Sequence, residues 1–175
     1  MVTTRLDFWY KQNANGFYDS PRPKKIFTIK SCGREQWNKF RKYHYLNTDI
    51  ASACQCYGLF DANNDIIGFM GVLHQPHGIN KKIKRVSRLV ILPDYQGIGL
   101  GSKFLNEIAK IYVNNGYDFS IKTSAKNLIN SLKKQNNWCL ISYGISNCTS
   151  NKSAIDYKRS SLRNNCKTAS FFYKK

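Results

Sequence analysis

Between Leu89 and Leu105 the chain reads LVILPDYQGIGLGSKFL: an apolar run meets a proline, glycines follow at 97, 99 and 101, and a segment with helical periodicity begins at once. Few folds accommodate this order. Alternating glycines permit positive φ and let another molecule approach the main chain closely, and the amides that open the next helix form a ready anion site. Three phosphate-binding arrangements and a plain tight strand-to-helix turn compete for it. The P-loop requires Gly, four residues, then Gly-Lys-Ser/Thr, whereas Gly101-Ser102-Lys103 has the wrong order and spacing. The dinucleotide fingerprint needs a glycine at 102, where a serine stands. Asp118 does lie at the sequence distance expected for a ribose contact, but that turn usually opens a parallel βαβ unit rather than following a meander. The third arrangement is Q-x-x-G-x-G, Gln96 to Gly101, whose successive N–H groups can converge on phosphate oxygens.

The strand and helix that flank the turn are both legible. KIKRVSRLVIL (82–92) reads as a long strand running into Pro93, and SKFLNEIAKIY (102–112) puts Phe104, Ile108 and Ile111 or Tyr112 on one helical stripe. Upstream, KIFTIKSC (25–32) alternates as a short strand, and GREQWNKFRKYHYL (33–46) places Trp37, Phe40 and His44 on one helical face. ASACQCYGLF and IIGFMGVLHQ read as strands joined by DANND, a hairpin turn. Downstream come a buried-type strand DFSIKTS, a short helix AKNLINSLKKQN, a strand WCLISYG, a polar basic stretch over 145–165 and a last strand TASFFYK. The order β-α-β-β-β-α-β-α-β-β predicts a single mixed α/β domain over residues 26–175. Residues 1–25, closed by SPRPKK, read as an irregular basic and aromatic arm.

Charge narrows the partner. Lysines and arginines number 28 against 10 carboxylates, a net charge of +18, which exceeds what solubility of a small domain needs. Residues 122–175 hold eleven of these cations and one carboxylate, Asp156, so the charge is concentrated. A polyanionic partner follows; a merely well-solvated basic surface is the alternative. In RPKKIF, KFRKYHY and KKIKRVSR the cations are interleaved with aromatic and apolar residues. Arg41, Lys42, Lys84, Arg85, Arg88, Lys158, Arg159 and Arg163 are the candidate nucleic-acid contacts.

Six cysteines (Cys32, Cys54, Cys56, Cys139, Cys148, Cys166) accompany a start, MVTTRLDFWYKQ, that lacks the apolar core of a signal peptide. With no apolar run of membrane-spanning length, reduced thiols in a cytoplasmic compartment are expected. Cys54 and Cys56 fall on one face of a strand, and no second Cys/His pair has zinc-finger spacing. His74 and His77 read as loop residues without a third ligand, so no metal is expected.

With its Q-x-x-G-x-G turn, the long strand and Pro93 before it and the helix, strand and short helix after it, the chain resembles the GNAT N-acetyltransferase superfamily over residues 26 to 145. The resemblance implies a GNAT-like fold, a mostly antiparallel central sheet flanked by helices, and acetyl-CoA as cofactor. It places the pyrophosphate on Gln96, Gly97, Ile98, Gly99, Leu100, Gly101 and Ser102. The pantetheine would lie along Val90, Ile91 and Leu92, with Asn127 also touching the cofactor. The tyrosine that often protonates the departing thiolate is missing from SAKNLINSLKKQNNW, and so is the glutamate often found on the fourth strand.

WNKFRKYHYLN, SRLVILPDYQGIGLG and the terminal ASFFY together look like the acetyltransferase-like Mom group of phage DNA-modifying proteins, through His44-Tyr45, Ser87-Arg88 and Ser170, Phe171 and Tyr173. That resemblance implies carbamoylmethylation of the adenine N6 amino group, shielding phage DNA from host restriction, with the protein in the host cytoplasm. It nominates His44, Tyr45, Asp156 and Tyr157 as catalytic residues, with His44 equally readable as a packed helix-end histidine. The acceptor would be double-stranded DNA with its target base flipped out. Two alternatives stand beside this: a conventional N-acetyltransferase of protein, tRNA or small-molecule amines, and a non-catalytic nucleic-acid-binding module.

Overall fold

In a computed structural model, which describes residues 3–8, 25–44, 49–145 and 166–174, the chain builds one eight-stranded sheet. The strands are β1 (Thr3–Phe8), β2 (Lys25–Ser31), β3 (Gln55–Phe60), β4 (Ile66–His74), β5 (Ile83–Ile91), β6 (Asp118–Thr123), β7 (Trp138–Ile145) and β8 (Lys167–Tyr173). Their order across the sheet is β1-β2-β3-β4-β5-β6-β8-β7. The first five form an antiparallel meander, β5 and β6 run parallel, and β8 inserts antiparallel between β6 and β7. A parallel step needs a long crossover, and the glycine turn with helix α2 (Leu100–Asn114) supplies it. Two shorter helical segments complete the architecture, α1 (Trp37–Phe40) and α3 (Lys126–Lys133).

Alternation along the strands creates two unequal cores. On one face the apolar stripe of α2 (Leu100, Phe104, Leu105, Ile108, Ala109, Tyr112), with Ile129 and Leu132 of α3, covers Phe27, Leu59, Met70, Phe119 and Phe171. Tyr112, rather than Ile111, completes the buried stripe. On the other face Trp37 and Phe40 close a smaller cluster against Cys56, Phe69 and Val90. Lys39 fastens this cover by donating from Nζ to the Ile66 carbonyl at 2.8 Å.

Sequence and structure part at three places. The helix expected over 33–46 is a broken segment: a 3-10 turn at Arg34–Gln36, one α turn, and a second 3-10 turn at Arg41–Tyr43 that ends on His44. Apolar residues three apart suit a 3-10 turn as well as an α-helix, and neither 3-10 turn has a side-chain hydrogen bond at its N-cap, Gly33 or Phe40. The arm read as irregular over 1–25 contains β1, hydrogen-bonded along β2 from Thr3 opposite Lys30 to Phe8 opposite Lys25. His74, read as a loop residue, ends β4 opposite Lys84.

Three elements are tied by one polar relay. Trp138 Nε1 donates to Asn106 Oδ1 at 2.7 Å, Asn106 Nδ2 to Gln135 Oε1 at 2.8 Å, and Gln135 Nε2 to Ser131 Oγ at 3.2 Å. Trp138 is only 5% exposed, so Asn106→Ala strands a buried indole N–H. The expected cost is about 1–3 kcal/mol, read by urea denaturation.

Candidate active site

The glycine turn is held from both sides. Beyond the end of β5, Leu92 N donates to Ile67 O at 2.9 Å, and Tyr95 hydroxyl reaches Asp61 Oδ2 at 3.2 Å, fixing the turn to the β3–β4 hairpin. Gln96 folds back so that Nε2 donates to Ile91 O at 2.7 Å. Gly97 and Gly99 then adopt φ of 82° and 81°, the left-handed region that glycine alone enters freely. Gly99 caps α2, its carbonyl accepting from Lys103 N at 3.2 Å and Ser102 Oγ at 2.9 Å. The first amides of α2 have no acceptor within the helix and carry its positive dipole end. A Cβ at Gly97 would meet nothing within 4 Å. The cradle is thus open on its outer side, and residues 97–102 fit a diphosphate by main chain alone.

Next to the turn the sheet opens. β5 and β6 pair only from Ile83 opposite Asp118 to Val86 opposite Ile121. Past that point β6 keeps β8 as partner, while β5 continues from Ser87 to Ile91 with β4 alone beside it among the described residues. The register of β4 against β5 slips there, with Gly71 opposite Arg88 and Val72 opposite Val86, so Ser87 is the extra residue of a bulge. The unpaired edge of Ser87–Ile91 offers amides and carbonyls to an extended chain laid along it, as an added strand would use them. The side chains of Val90 and Ile91 are themselves buried, one in each core, so these residues face the slot through their backbone. Asn127 is exposed at the second position of α3, after β6 and at the same end of the sheet as the turn.

This topology excludes the dinucleotide reading of the glycines. Asp118 pairs with Ile83 at the opposite end of β5 from the turn and accepts from Asn80 Nδ2 at 2.6 Å. Eight residue steps of strand, roughly 27 Å, separate it from the phosphate cradle.

On the α1 side of the slot, Trp37 gathers three neighbours. His44 meets its ring edge-on at 5.5 Å, Phe69 lies at 5.6 Å, and the Arg88 guanidinium sits over it at 5.7 Å. Arg88 Nη1 also donates to Ser87 O at 2.9 Å. Of the proposed catalytic set, His44 is therefore a half-buried residue at the end of the second 3-10 turn; Tyr45, Asp156 and Tyr157 lie outside the described residues. So do Lys158, Arg159 and Arg163. The remaining basic candidates divide into two regions. Arg41 pairs with Asp49 at 3.3 Å, and Lys42 lies over the Tyr43 ring, both beside His44. Lys84 lies over Tyr117 near the start of β5, with exposed Arg85 next to it. Phe171 and Tyr173 belong to the core, Tyr173 packing edge-on to Trp138 at 5.0 Å.

Two features escaped the sequence. Tyr57 and Tyr112 hydroxyls lie 2.9 Å apart, and Tyr112 donates to Gln55. Burial raises both phenols above their ordinary range, so they remain neutral hydrogen-bonding groups. Cys54 and Cys56 belong to the smaller core that includes Trp37, and Cys32 packs against it. Among the described residues no three His, Cys, Asp or Glu side chains gather to hold a metal ion, and no helix is long and apolar enough to cross a membrane.

Open main-chain amides at the head of a crossover helix, next to a strand pair that parts after four residue pairs, leave room for an extended, anionic cofactor. The chain belongs to the acetyltransferase (GNAT) family, whose sequence model matches residues 17–130, and acetyl-CoA is its acyl donor. Its fold is similar to that of an IAA acetyltransferase from Bacillus cereus, at 13% identity and a TM-score of 0.58 over 85% of this chain and 99% of that one. A spermidine/spermine N-acetyltransferase from Vibrio cholerae aligns at 10% identity, TM-score 0.59, over 83% and 91%. A GNAT family acetyltransferase from Elizabethkingia anophelis, solved with acetyl-CoA bound, aligns at 12% identity, TM-score 0.54, over 85% and 98%. No curated protein sequence matches the chain.

Proposed function

We propose that the protein uses acetyl-CoA to modify an exocyclic amino group of nucleic acid, with adenine N6 of duplex DNA as acceptor and a Mom-like carbamoylmethyl group as product. The observation that carries this reading is the charge of +18 in a domain whose fold already accounts for a nucleotide cofactor. One bound coenzyme needs only a few main-chain amides; an excess of eighteen cations suits a polymer of phosphates. The same charge disfavours a polyamine acceptor, which carries the same sign as the chain and would be repelled on approach.

In this reading acetyl-CoA supplies the two-carbon unit, and the chain's own residues bind, orient and handle the proton. Amides along Ser87–Ile91 hold and polarise, Arg41, Lys42, Arg85 and Arg88 meet phosphates, and His44 with Tyr45, Asp156 and Tyr157 handles the proton that leaves the amine. A flipped adenine would enter on the Trp37 and His44 side, where aromatic surface is available for stacking. A carbamoylmethyl group carries an amide nitrogen that an acetyl group lacks and is joined to N6 through its methylene carbon. That product therefore demands, besides acetyl-CoA, both a nitrogen donor and a two-electron oxidant acting at the methyl carbon; simple acyl transfer would give N6-acetyladenine. The resemblance in His44-Tyr45 and Ser87-Arg88, the latter at the bulge of β5, supports the Mom-like outcome.

A conventional amine N-acetyltransferase is the second reading, favoured by the likeness to a spermidine/spermine enzyme. Nucleoside mass spectrometry of DNA from cells making the protein separates the two. A mass-shifted deoxyadenosine is expected; unaltered DNA together with acetylated spermidine, peptide or tRNA would replace the first reading by the second. In DNA binding, log K should fall steeply with log salt, and Arg85→Ala should reduce the slope by about 1, the loss of one phosphate contact.

A further inference from the structure

We propose that Cys32 and Cys56 form a peroxide-driven, reversible disulfide that acts as a thiol switch under the α1 side of the active site. The register of the sheet carries the inference. Ser31 of β2 faces Tyr57 of β3, so the next pair outward is Cys32 opposite Cys56, and Cys32 N donates to Cys56 O at 3.0 Å. Directly facing residues of this hydrogen-bonded kind have Cα atoms about 5.5 Å apart with side chains on one face, inside the range a disulfide spans. Both side chains pack in the same small core as Trp37 and Phe40.

Cys54 makes the site a built one. Cys56 Sγ donates to Cys54 O at 3.7 Å, and Cys54 Sγ to Gln55 O at 3.8 Å. It sits two positions along the chain from Cys56, about 6.7 Å per pair of residues, at the outer limit for bridging, so its part is to support rather than to link. The hydrogen bond from Cys54, then the Arg34 charge, lowers Cys56 below the ordinary thiol range, while Cys54 is raised by the same pairing. Burial first, then Cys56 and Glu35, pushes Cys32 up to about 12. The disulfide is the same whichever of the two thiols is oxidised first; one route starts at Cys56.

The chemistry balances with one hydrogen peroxide. The Cys56 thiolate attacks a peroxide oxygen, the O–O bond breaks, and hydroxide leaves to take up the proton Cys56 gave up, as water, with Cys56 left as the sulfenic acid. Cys32 sulfur then attacks Cys56 sulfur, the S–O bond breaks, and the departing hydroxide takes the Cys32 proton as a second water. Two thiols are oxidised by two electrons and the peroxide is reduced. Formation of the neutral sulfenic acid also removes the Cys56 charge that opposed ionisation of Cys32.

The switch has a direct route to the acceptor side, because the thiols pack with Trp37 and Trp37 touches His44 and Arg88. The test is stoichiometric hydrogen peroxide on the folded full-length protein, followed by alkylation, peptide mapping and amide hydrogen exchange. A Cys32–Cys56 linkage is expected, reversed by dithiothreitol, with exchange over 34–44 shifted at least about fivefold and α2 unchanged. Cys54→Ser should still form the link. Cys32→Ser should instead accumulate Cys56 oxyacids, with the circular dichroism of the folded protein retained. A bridge through Cys54, or a Cys32–Cys56 bridge without altered exchange at 34–44, overturns the proposal. None of these readouts depends on the acceptor, so they stand or fall apart from the DNA reading.

Discussion

A protein with alanine at both 97 and 99 is expected to bind acetyl-CoA at least about a hundredfold more weakly and to lose about 2–4 kcal/mol of folding stability. Neither loss comes from crowding. A Cβ at Gly97 meets no atom within 4 Å, and one at Gly99 comes no closer than 4.0 Å to Ser102 Oγ. The cost lies in the backbone, since φ of 82° and 81° is left-handed and each non-glycine residue held there costs about 1–2 kcal/mol. Relaxing that strain turns the peptide planes, and the amides cease to converge. Two hydrogen bonds to a charged oxygen, each about 1.5–3 kcal/mol, account for the lost affinity. Gly101→Ala is the control. It lies inside α2, where a Cβ would rest in ordinary contact 3.5 Å from Ile91, so stability should rise by about 0.5–1 kcal/mol. Calorimetry with acetyl-CoA and urea denaturation read both effects. A double variant that bound acetyl-CoA as the parent does would remove the cofactor site from this turn.

What was legible in the sequence was local. Pro93, the glycines and the 3.6-residue period of Phe104, Ile108 and Tyr112 act within about twenty residues of each other, and so the turn and α2 could be read directly. β1 could not. In TTRLDF Leu6 is buried, and the segment becomes a strand because β2 presents an edge to it, a non-local cause that propensity does not record. The insertion of β8 between β6 and β7 is likewise a matter of strand order. The spacing of Cys54 and Cys56 was visible as a strand pattern, but the third thiol joins them only through the register of β2 on β3. The candidate site divides along the same line: its phosphate cradle is a local motif, while its acceptor side is assembled from α1, the residue before β3 and the bulge of β5, which are distant in sequence.

That assembled side depends on Trp37, and Trp37→Ala is expected to cost about 3–5 kcal/mol. Its side chain is 2% exposed and fills the space between α1 and the sheet, so truncation leaves a cavity that the four-residue α1 cannot collapse into. The ring also supports His44 from its edge and Arg88 from its face, and both lose their reference surface with it. A variant so destabilised says little about catalysis, which makes Trp37→Phe the informative partner. Phenylalanine keeps a ring against Phe69, retaining most of the packing, but is too small to reach His44 and Arg88 together. The glycine turn is anchored independently, through Leu92 to Ile67 and Tyr95 to Asp61. For Trp37→Phe, then, turnover should fall at least about tenfold while acetyl-CoA affinity stays within about twofold, a split that marks loss of positioning rather than of ground-state binding. Equal losses in both would mean that the α1 side and the cofactor turn are one rigid unit, and that His44 owes its placement to something other than Trp37.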